Sequence, residues 1–292
     1  MFATNALAAR VERAEMRLSA SIARTVDRLR PEARVLVQPC ADGLAVYAGP
    51  DSPVGKVIGL GFDRALDPAG LDAIERAWDE RGEPVRVELS TRADASIASA
   101  LTARGYRLTM FEDVLGMLLP RAAAVASPPA GIRIEELPQD EYRPWMDAAL
   151  DGFLAPDGSA PNEELPSRAI LERIFGDIAQ TPGFRRYVAL VDGAVAGAAT
   201  LRLDDGVAQL CGAATRPAFR RLGVQSALLA RRLADAADAG CDVAVVVTQP
   251  GSISQANAIR QGYAMLYSRA VLIRPRRPAT ESHAGVRGPD PT

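Results

Sequence analysis

One order of elements occurs twice in this chain, and it limits the available folds more than any other feature. Residues 67–81 have helical periodicity, 84–90 alternate as a strand, and 94–104 are again helical; Gly105-Tyr106 then opens a long apolar strand, 106–119. Much later, helix 222–239, strand 242–248, helix 252–261, Gly262-Tyr263 and strand 263–274 follow in the same order. Locally, ALTARGYRLTMFEDVLGMLLP resembles NAIRQGYAMLYSRAVLIRP. A glycine that stops a helix before an aromatic strand start is common by itself. Because four elements also match in order, we read a divergent internal repeat, two related α/β units built on mixed sheet.

The remaining elements fill in around this repeat. Residues 5–29 place Leu7, Val11, Leu18, Ile22, Val26 and Leu29 at helical spacing, and Pro31 follows as a stop. Short apolar runs at 34–38, 44–48 and 54–60 read as strands, and Asp67 with Pro68 caps and starts the helix at 67–81. The segment 120–131, PRAAAVASPPAG, is small, proline-rich and almost uncharged, as a linker is. Beyond it we expect strand 132–137, helix 140–150 and a second helix at 165–179. Strands 185–191, 194–203 and 206–215 then turn at Asp192-Gly193 and Asp204-Asp205-Gly206. The expected organisation is a unit at 1–120, a linker at 121–131, a unit at 132–275 and a disordered tail at 276–292.

Composition excludes several function classes. A formal charge of −2 offers no concentrated basic surface for nucleic acid. Cys40, Cys211 and Cys241 form no CxxC pair, and His283 is the sole histidine, so a structural zinc site has too few ligands. The same odd, scattered cysteines argue against a disulfide framework and for a reducing cytoplasm. Arg10, Arg13, Arg17, Arg24, Arg28 and Arg30 interrupt the first thirty residues, unlike a signal peptide. No run approaches the roughly 18 apolar residues of a membrane span, so we expect a soluble, cytoplasmic protein that uses neither membrane nor nucleic acid as a partner.

Chemistry concentrates in Thr215-Arg216-Pro217-Ala218-Phe219-Arg220-Arg221-Leu222-Gly223-Val224-Gln225-Ser226, where a strand gives way to a helix. Arginines at a helix start oppose the macrodipole, at a cost of some tenths of a kcal/mol each unless an anion lies between them. Free N–H donors at the helix start and a glycine that permits close approach complete a cradle for a pyrophosphate. An exposed arginine pair beside a helix-starting glycine is the plainer alternative.

In that setting, R-R-L-G-V-Q after a strand ending in T-R-P resembles the acyl-CoA signature of the GNAT superfamily of N-acyltransferases, Arg/Gln-x-x-Gly-x-Gly/Ala. The resemblance extends from strand 132–137 to strand 263–274 and includes the order of elements. It implies a GNAT-like fold, two tandem GNAT-like units with the first degenerate, and acetyl-CoA as acyl donor without a metal. By the same resemblance, backbone N–H groups of Arg220, Arg221, Leu222, Gly223, Val224, Gln225 and Ser226 would hold the pyrophosphate. Ala213, Ala214 and Thr215 would line the pantetheine and thioester, where the strand parts from 242–248 and a backbone N–H can polarise the thioester carbonyl. Ser254 and Asn257 stand on a helix that could reach CoA; a polar helix face explains them equally well. The implied reaction is direct acetyl transfer to a primary amine of a small molecule or peptide, with no covalent enzyme intermediate. A non-catalytic acyl-CoA-binding protein is the alternative.

Two positions depart from the family pattern. Gln225 stands where Gly or Ala is usual, and Ala258 stands four residues before Gly262, where many members carry the tyrosine that protonates the leaving thiolate. The catalytic acid is therefore unassigned. A base is also required, since an alkylammonium must lose a proton before it attacks. Asp147, Asp151, Asp157, Glu163 and Glu164 fall near the acceptor side, each taken singly better explained as a solvated surface carboxylate. Tyr187 and Tyr267 read as core or sheet-edge packing, and Cys211 as a small buried strand residue. In the first unit, the equivalent segment Gly59–Pro68 lacks the arginine pair and carries Asp63 and Asp67, which would repel phosphate. We expect no CoA there. Oligomeric state is not encoded legibly.

Overall fold

The computed structural model describes residues 3–119, 129–155 and 166–276. The tail expected at 276–292 and the linker at 121–131 lie outside these residues, apart from Ala130, Gly131 and Pro129 of the linker and Arg276 of the tail.

A 25-residue helix, α1 (Asn5–Leu29), opens the described chain; the Thr4 hydroxyl accepts the Leu7 N–H at its start. Strands β1 (Leu36–Cys40), β2 (Gly43–Tyr47) and β3 (Lys56–Ile58) follow. Pro39 is tolerated in β1 because β1 is the sheet edge and needs no donor on its outer side. Helix α2 (Pro68–Asp79) begins with the expected Asp67 cap and Pro68 at its first position. Next come β4 (Val85–Ser90), α3 (Ala95–Ala103) and β5 (Arg107–Leu118).

The second half runs β6 (Ile132–Leu137), α4 (Arg143–Phe153), α5 (Arg168–Gln180), β7 (Phe184–Val191), β8 (Ala194–Asp204) and β9 (Val207–Thr215). It closes with α6 (Val224–Asp238), β10 (Val243–Thr248), α7 (Ile253–Arg260) and β11 (Ala264–Arg274). Helix α4 starts three residues later than the periodicity of 140–150 suggests, since Pro144 suits a first turn and disfavours helix before it.

The eleven strands of the described residues form one mixed sheet, ordered β1-β2-β3-β4-β11-β5-β10-β9-β8-β7-β6. The two halves of the chain interleave at its centre. β11, from the second half, lies between β4 and β5, while β5, from the first half, lies between β11 and β10. Each half thus completes its neighbour's sheet with its own last strand. Helix α6 covers one face, packing Val224, Ala227 and Leu228 with Tyr187, Leu201, Leu210 and Ala244. The opposite face carries α4 and α5 over Val188 and Ala198, and α1 over Val207, Val243 and Val245. No helix among the described residues is long and apolar enough to cross a membrane.

The only lysine, Lys56, is buried under α1. Its ammonium lies 3.0 Å from Glu15 and 2.9 Å from Glu88. Nearby, Glu12 accepts from Arg269 Nε at 2.8 Å and from the Tyr267 hydroxyl at 2.7 Å. This charged clasp ties α1 to β3 and β4 of the first half and to β11 of the second.

Candidate functional site

The site begins where two parallel strands stop pairing. β9 and β10 are joined only at Val207↔Val243, Ala208↔Ala244 and Gln209↔Val245. Beyond that point β9 stays with β8 as far as Thr215, and β10 stays with β5 as far as Thr248. The gap opens a cleft of about 550 Å3 between α6 and α7, within the range of ligand sites.

Gly212 sits in the gap as the extra residue of a bulge: Ala199 pairs Ala213 while Thr200 pairs Cys211. Its φ of +36° and the open space around its α-carbon mark a position where glycine turns the backbone toward the cleft. The Thr200 hydroxyl donates to the Cys211 carbonyl at 2.6 Å and holds the bulge closed on the β8 side.

At the mouth, a single turn at Pro217–Phe219 leads into the arginine pair. Arg221 has a φ of +65° and Gly223 a φ of +91°, so the chain alternates hand as it enters α6. No acceptor among the described residues takes the N–H groups of Arg221 through Ser226. Such a run of donors on a helix start has the chemistry that suits an anion. Glycine suits position 223 because of its φ of +91°, and a β-carbon there would also press on Pro129 at 3.1 Å.

The residues named from the sequence separate into three groups. Ala213, Gln225, Ser226, Ser254 and Asn257 line the cleft, as does Ala258. Arg220, Arg221, Leu222, Gly223 and Val224 form the mouth, with the Val224 side chain buried in the core and its N–H in the first turn of α6. Ala214 faces away: it packs where a β-carbon on Gly152 would fall, beneath α4. The Thr215 hydroxyl is buried with no partner among the described residues. Arg220 donates to the Ala155 carbonyl, tying the mouth to the end of α4.

Of the candidate bases, Asp151 pairs with Arg216 at 2.9 Å and Asp147 with Arg143 at 3.6 Å. Asp157, Glu163 and Glu164 lie outside the described residues. Tyr187 and Tyr267 are buried, and both hydroxyls donate to carboxylates, Asp235 and Glu12. Cys211 is half-buried, and burial pushes its thiol up to about 12, which suits packing rather than nucleophilic attack.

Helix α7, the outer wall, is held by the first half of the chain. Asp113 of β5 accepts from Gln255 Nε2 at 2.6 Å and from the Ser268 hydroxyl at 2.5 Å. Gln255 Oε1 in turn accepts the Gly251 N–H at 2.6 Å, fixing the turn before α7. Across the mouth, Gln261 Nε2 donates to the Ser226 hydroxyl at 3.2 Å, bridging α7 and α6.

Sequence reasoning missed Gly212, Arg232, Phe153 and Tyr263, all of which line the cleft. One signal was available: Val224, Leu228, Arg232 and Ala236 recur every four residues, so an arginine occupies the buried stripe of α6.

Residues 136–263 match the Acetyltransferase (GNAT) family profile. Over these residues the chain is similar to GNAT acetyltransferase domains. No curated protein sequence matches the chain. Among solved structures, a GCN5-related N-acetyltransferase from Kribbella flavida superposes with a TM-score of 0.58 at 19% identity, covering 87% of this chain and 95% of that one. A tandem GNAT protein from the clavulanic acid biosynthesis pathway gives 0.58 at 13% identity, covering 81% and 79%. A GCN5-related N-acetyltransferase from Sphaerobacter thermophilus gives 0.52 at 15%, covering 72% and 66%. At these identities the likeness is one of fold, and the GNAT fold extends over both halves of the chain. Among the described residues no cluster of side chains could hold a metal ion.

Proposed function

We propose that the chain transfers an acetyl group from acetyl-CoA to a primary amine of a small molecule or peptide by direct attack. The observation that carries this reading is the parting of β9 from β10 beside a helix start whose N–H groups have no acceptor among the described residues. In this reading the N–H groups of 221–226 hold the pyrophosphate, and Ala213, Ser254 and Asn257 flank the pantetheine arm. The backbone turned by Gly212 faces the thioester carbonyl and stabilises its oxygen as charge develops. The amine nitrogen bonds to the acyl carbon, the carbon–sulfur bond breaks, and the proton lost by the amine ends on CoA.

The first half contributes structure to this site rather than a second one: β5 supplies Asp113 to hold α7, and in its own loop before α2 the Asp42 carboxylate accepts the N–H groups of Gly61, Phe62 and Asp63. We read residues 1–120 as a degenerate unit, 132–275 as the catalytic one, and the free cysteines as fitting a cytoplasmic protein. A second reading, an acyl-CoA-binding protein without turnover, is favoured by Ala258, which lines the cleft where an acid would stand.

Calorimetric titration with acetyl-CoA tests the site. We expect one molecule per chain, with a rise in stability of about 2.7 kcal/mol at 100-fold excess over Kd, and loss of binding in Arg220→Ala/Gly223→Asp. No binding at millimolar ligand would overturn both readings. Turnover with any member of an amine panel decides between them.

A further inference from the structure

Arg232 is 3% exposed, yet it has no ion-pair partner among the described residues. Two of its donors are spent on backbone: Nε on the Leu228 carbonyl at 3.1 Å and Nη1 on the Thr200 carbonyl at 3.1 Å, beside the bulge. The side chains close enough to act on its charge are Tyr263, Cys211 and Tyr187, all uncharged near neutral pH. Burial draws the guanidinium down to about 10, which leaves it a cation at pH 7. A buried cation without a counter-charge is strongly unfavourable. Asp235, one turn further on, is already engaged by Arg185, Arg231 and the Tyr187 hydroxyl.

Tyr263 is the second such group. It is 4% exposed, and its hydroxyl has no partner among the described residues. Burial pushes its ionisation up, so at neutral pH it is a proton-bearing donor. Arg232 and Tyr263 both line the cleft, among the apolar walls Leu210, Leu229, Val246 and Ala258. The part of the guanidinium not spent on those backbone carbonyls and the buried Tyr263 hydroxyl, which has no partner among the described residues, match the two oxygens of a carboxylate.

The position along α6 says which part of a ligand would bring that carboxylate. The phosphate cradle is at the first turn of α6, and Arg232 lies eight residues beyond Val224, about 12 Å along the axis. An anion there belongs to the inner end of the ligand. The amide carbonyls of a pantetheine arm would accept hydrogen bonds but would not neutralise the charge. We infer that the cleft takes an acyl donor whose acyl group ends in a carboxylate, a dicarboxylic acyl-CoA of succinyl or glutaryl length, held by Arg232 and Tyr263. This rests on the acyl-CoA reading above and extends its donor from acetyl to an acyl group that carries a distal carboxylate. The transfer keeps the same balance: nitrogen bonds to the thioester carbon, carbon–sulfur breaks, the amine's proton ends on sulfur, and the distal carboxylate is not consumed.

The test is calorimetric titration of the full chain with CoA, acetyl-CoA, butyryl-CoA, succinyl-CoA and glutaryl-CoA, in wild type, Arg232→Met and Tyr263→Phe. Butyryl and succinyl have the same chain length and differ in the carboxylate. Succinyl-CoA or glutaryl-CoA is expected to bind at least tenfold more tightly than butyryl-CoA. That advantage should vanish in Arg232→Met and shrink severalfold in Tyr263→Phe, while affinity for CoA itself is kept. Equal wild-type affinities, or a preference that survives Arg232→Met, would overturn the inference and leave the acyltransferase reading standing. Failure of the wild type to bind CoA or any thioester would overturn both. If circular dichroism shows Arg232→Met unfolded, Tyr263→Phe decides, and an undiminished preference there counts against the inference.

Discussion

The Asp42 carboxylate accepts the Phe62 backbone N–H at 2.6 Å, and also those of Gly61 at 3.0 Å and Asp63 at 2.6 Å. These N–H groups belong to the loop before α2, the counterpart of the loop before α6. A side chain from the β1–β2 turn thus fills in the first half the role that an external anion would fill in the second. Burial raises the Asp42 carboxyl, but the backbone donors outweigh it and hold the group below its usual range. Asp42→Asn should cost about 1 kcal/mol at pH 7 without creating a second CoA site. Because the folded pKa is depressed, the stabilisation is complete above about 3.9 and is lost as pH falls through the folded value. Urea denaturation of both proteins at pH 7 and pH 3 checks this: the gap between them should narrow in acid.

The clasp under α1 makes a larger prediction. Burial would raise the Glu88 carboxyl, but Lys56, Arg269 and Arg86 bring it down to about 2. Burial would lower the Lys56 ammonium, yet Glu88 and Glu15 together raise it. Lys56→Met leaves Glu15 of α1 and the buried Glu88 without their shared cation, with Arg86 still 2.8 Å from Glu88. Removing one partner of a buried pair costs about 3–5 kcal/mol, and we expect a loss of that order in denaturant titration. By linkage, the Glu88 contribution is present above about 4.3 and disappears as pH falls toward 2; the Lys56 contribution is present below about 10.4 and is lost only as pH rises through the raised value. Stability should therefore be flat across neutral pH and fall in acid.

Much of this architecture was legible in the sequence, because periodicity reports which face of an element is buried. Helix α1 (Asn5–Leu29) and β6 (Ile132–Leu137) coincide with the expected ranges, and most other elements agree within two residues. The interleaving of β5 and β11 was not legible. Both are long strands after a Gly-Tyr pair, and an apolar alternation says nothing about which strand lies beside it. At the site, Gly223 and the arginine pair stood out as local chemistry at a helix start. The Gly212 bulge depends on a register between β8 and β9 that neither strand carries alone. Arg232 and Tyr263 meet only when α6 and the end of α7 close on the same cleft.

Among the described residues, Asp151 is the candidate base tied to the strand-to-helix connection at the mouth, its carboxylate paired with Arg216 at 2.9 Å. Both side chains are partly exposed, so the pair contributes at most about 1 kcal/mol. A carboxylate held by a guanidinium positions the strand-to-helix connection and is poorly placed to take a proton from an amine. Asp151→Asn should change kcat by less than about tenfold, against the 10²–10⁴-fold expected on removing a true general base. Steady-state rates with an accepted amine decide the matter; a larger fall in kcat would assign Asp151 as the base.

Gly212 allows stability and catalysis to be read separately. Its φ of +36° is in the left-handed region, while a β-carbon there would meet nothing within 4 Å. Gly212→Ala therefore introduces backbone strain without a clash, with an expected cost of about 1 kcal/mol. If the bulge aims a backbone N–H at the thioester oxygen, a small rotation removes a donor that acts mainly as charge develops. Losing one such donor typically costs about 10²–10³ in kcat. Gly212→Ala should accordingly lower kcat at least tenfold while acyl-CoA affinity, measured by calorimetry, stays within about threefold. A variant with weakened affinity and unchanged kcat would place Gly212 in ligand binding instead, and the donor to the thioester oxygen would have to be sought elsewhere in the cleft.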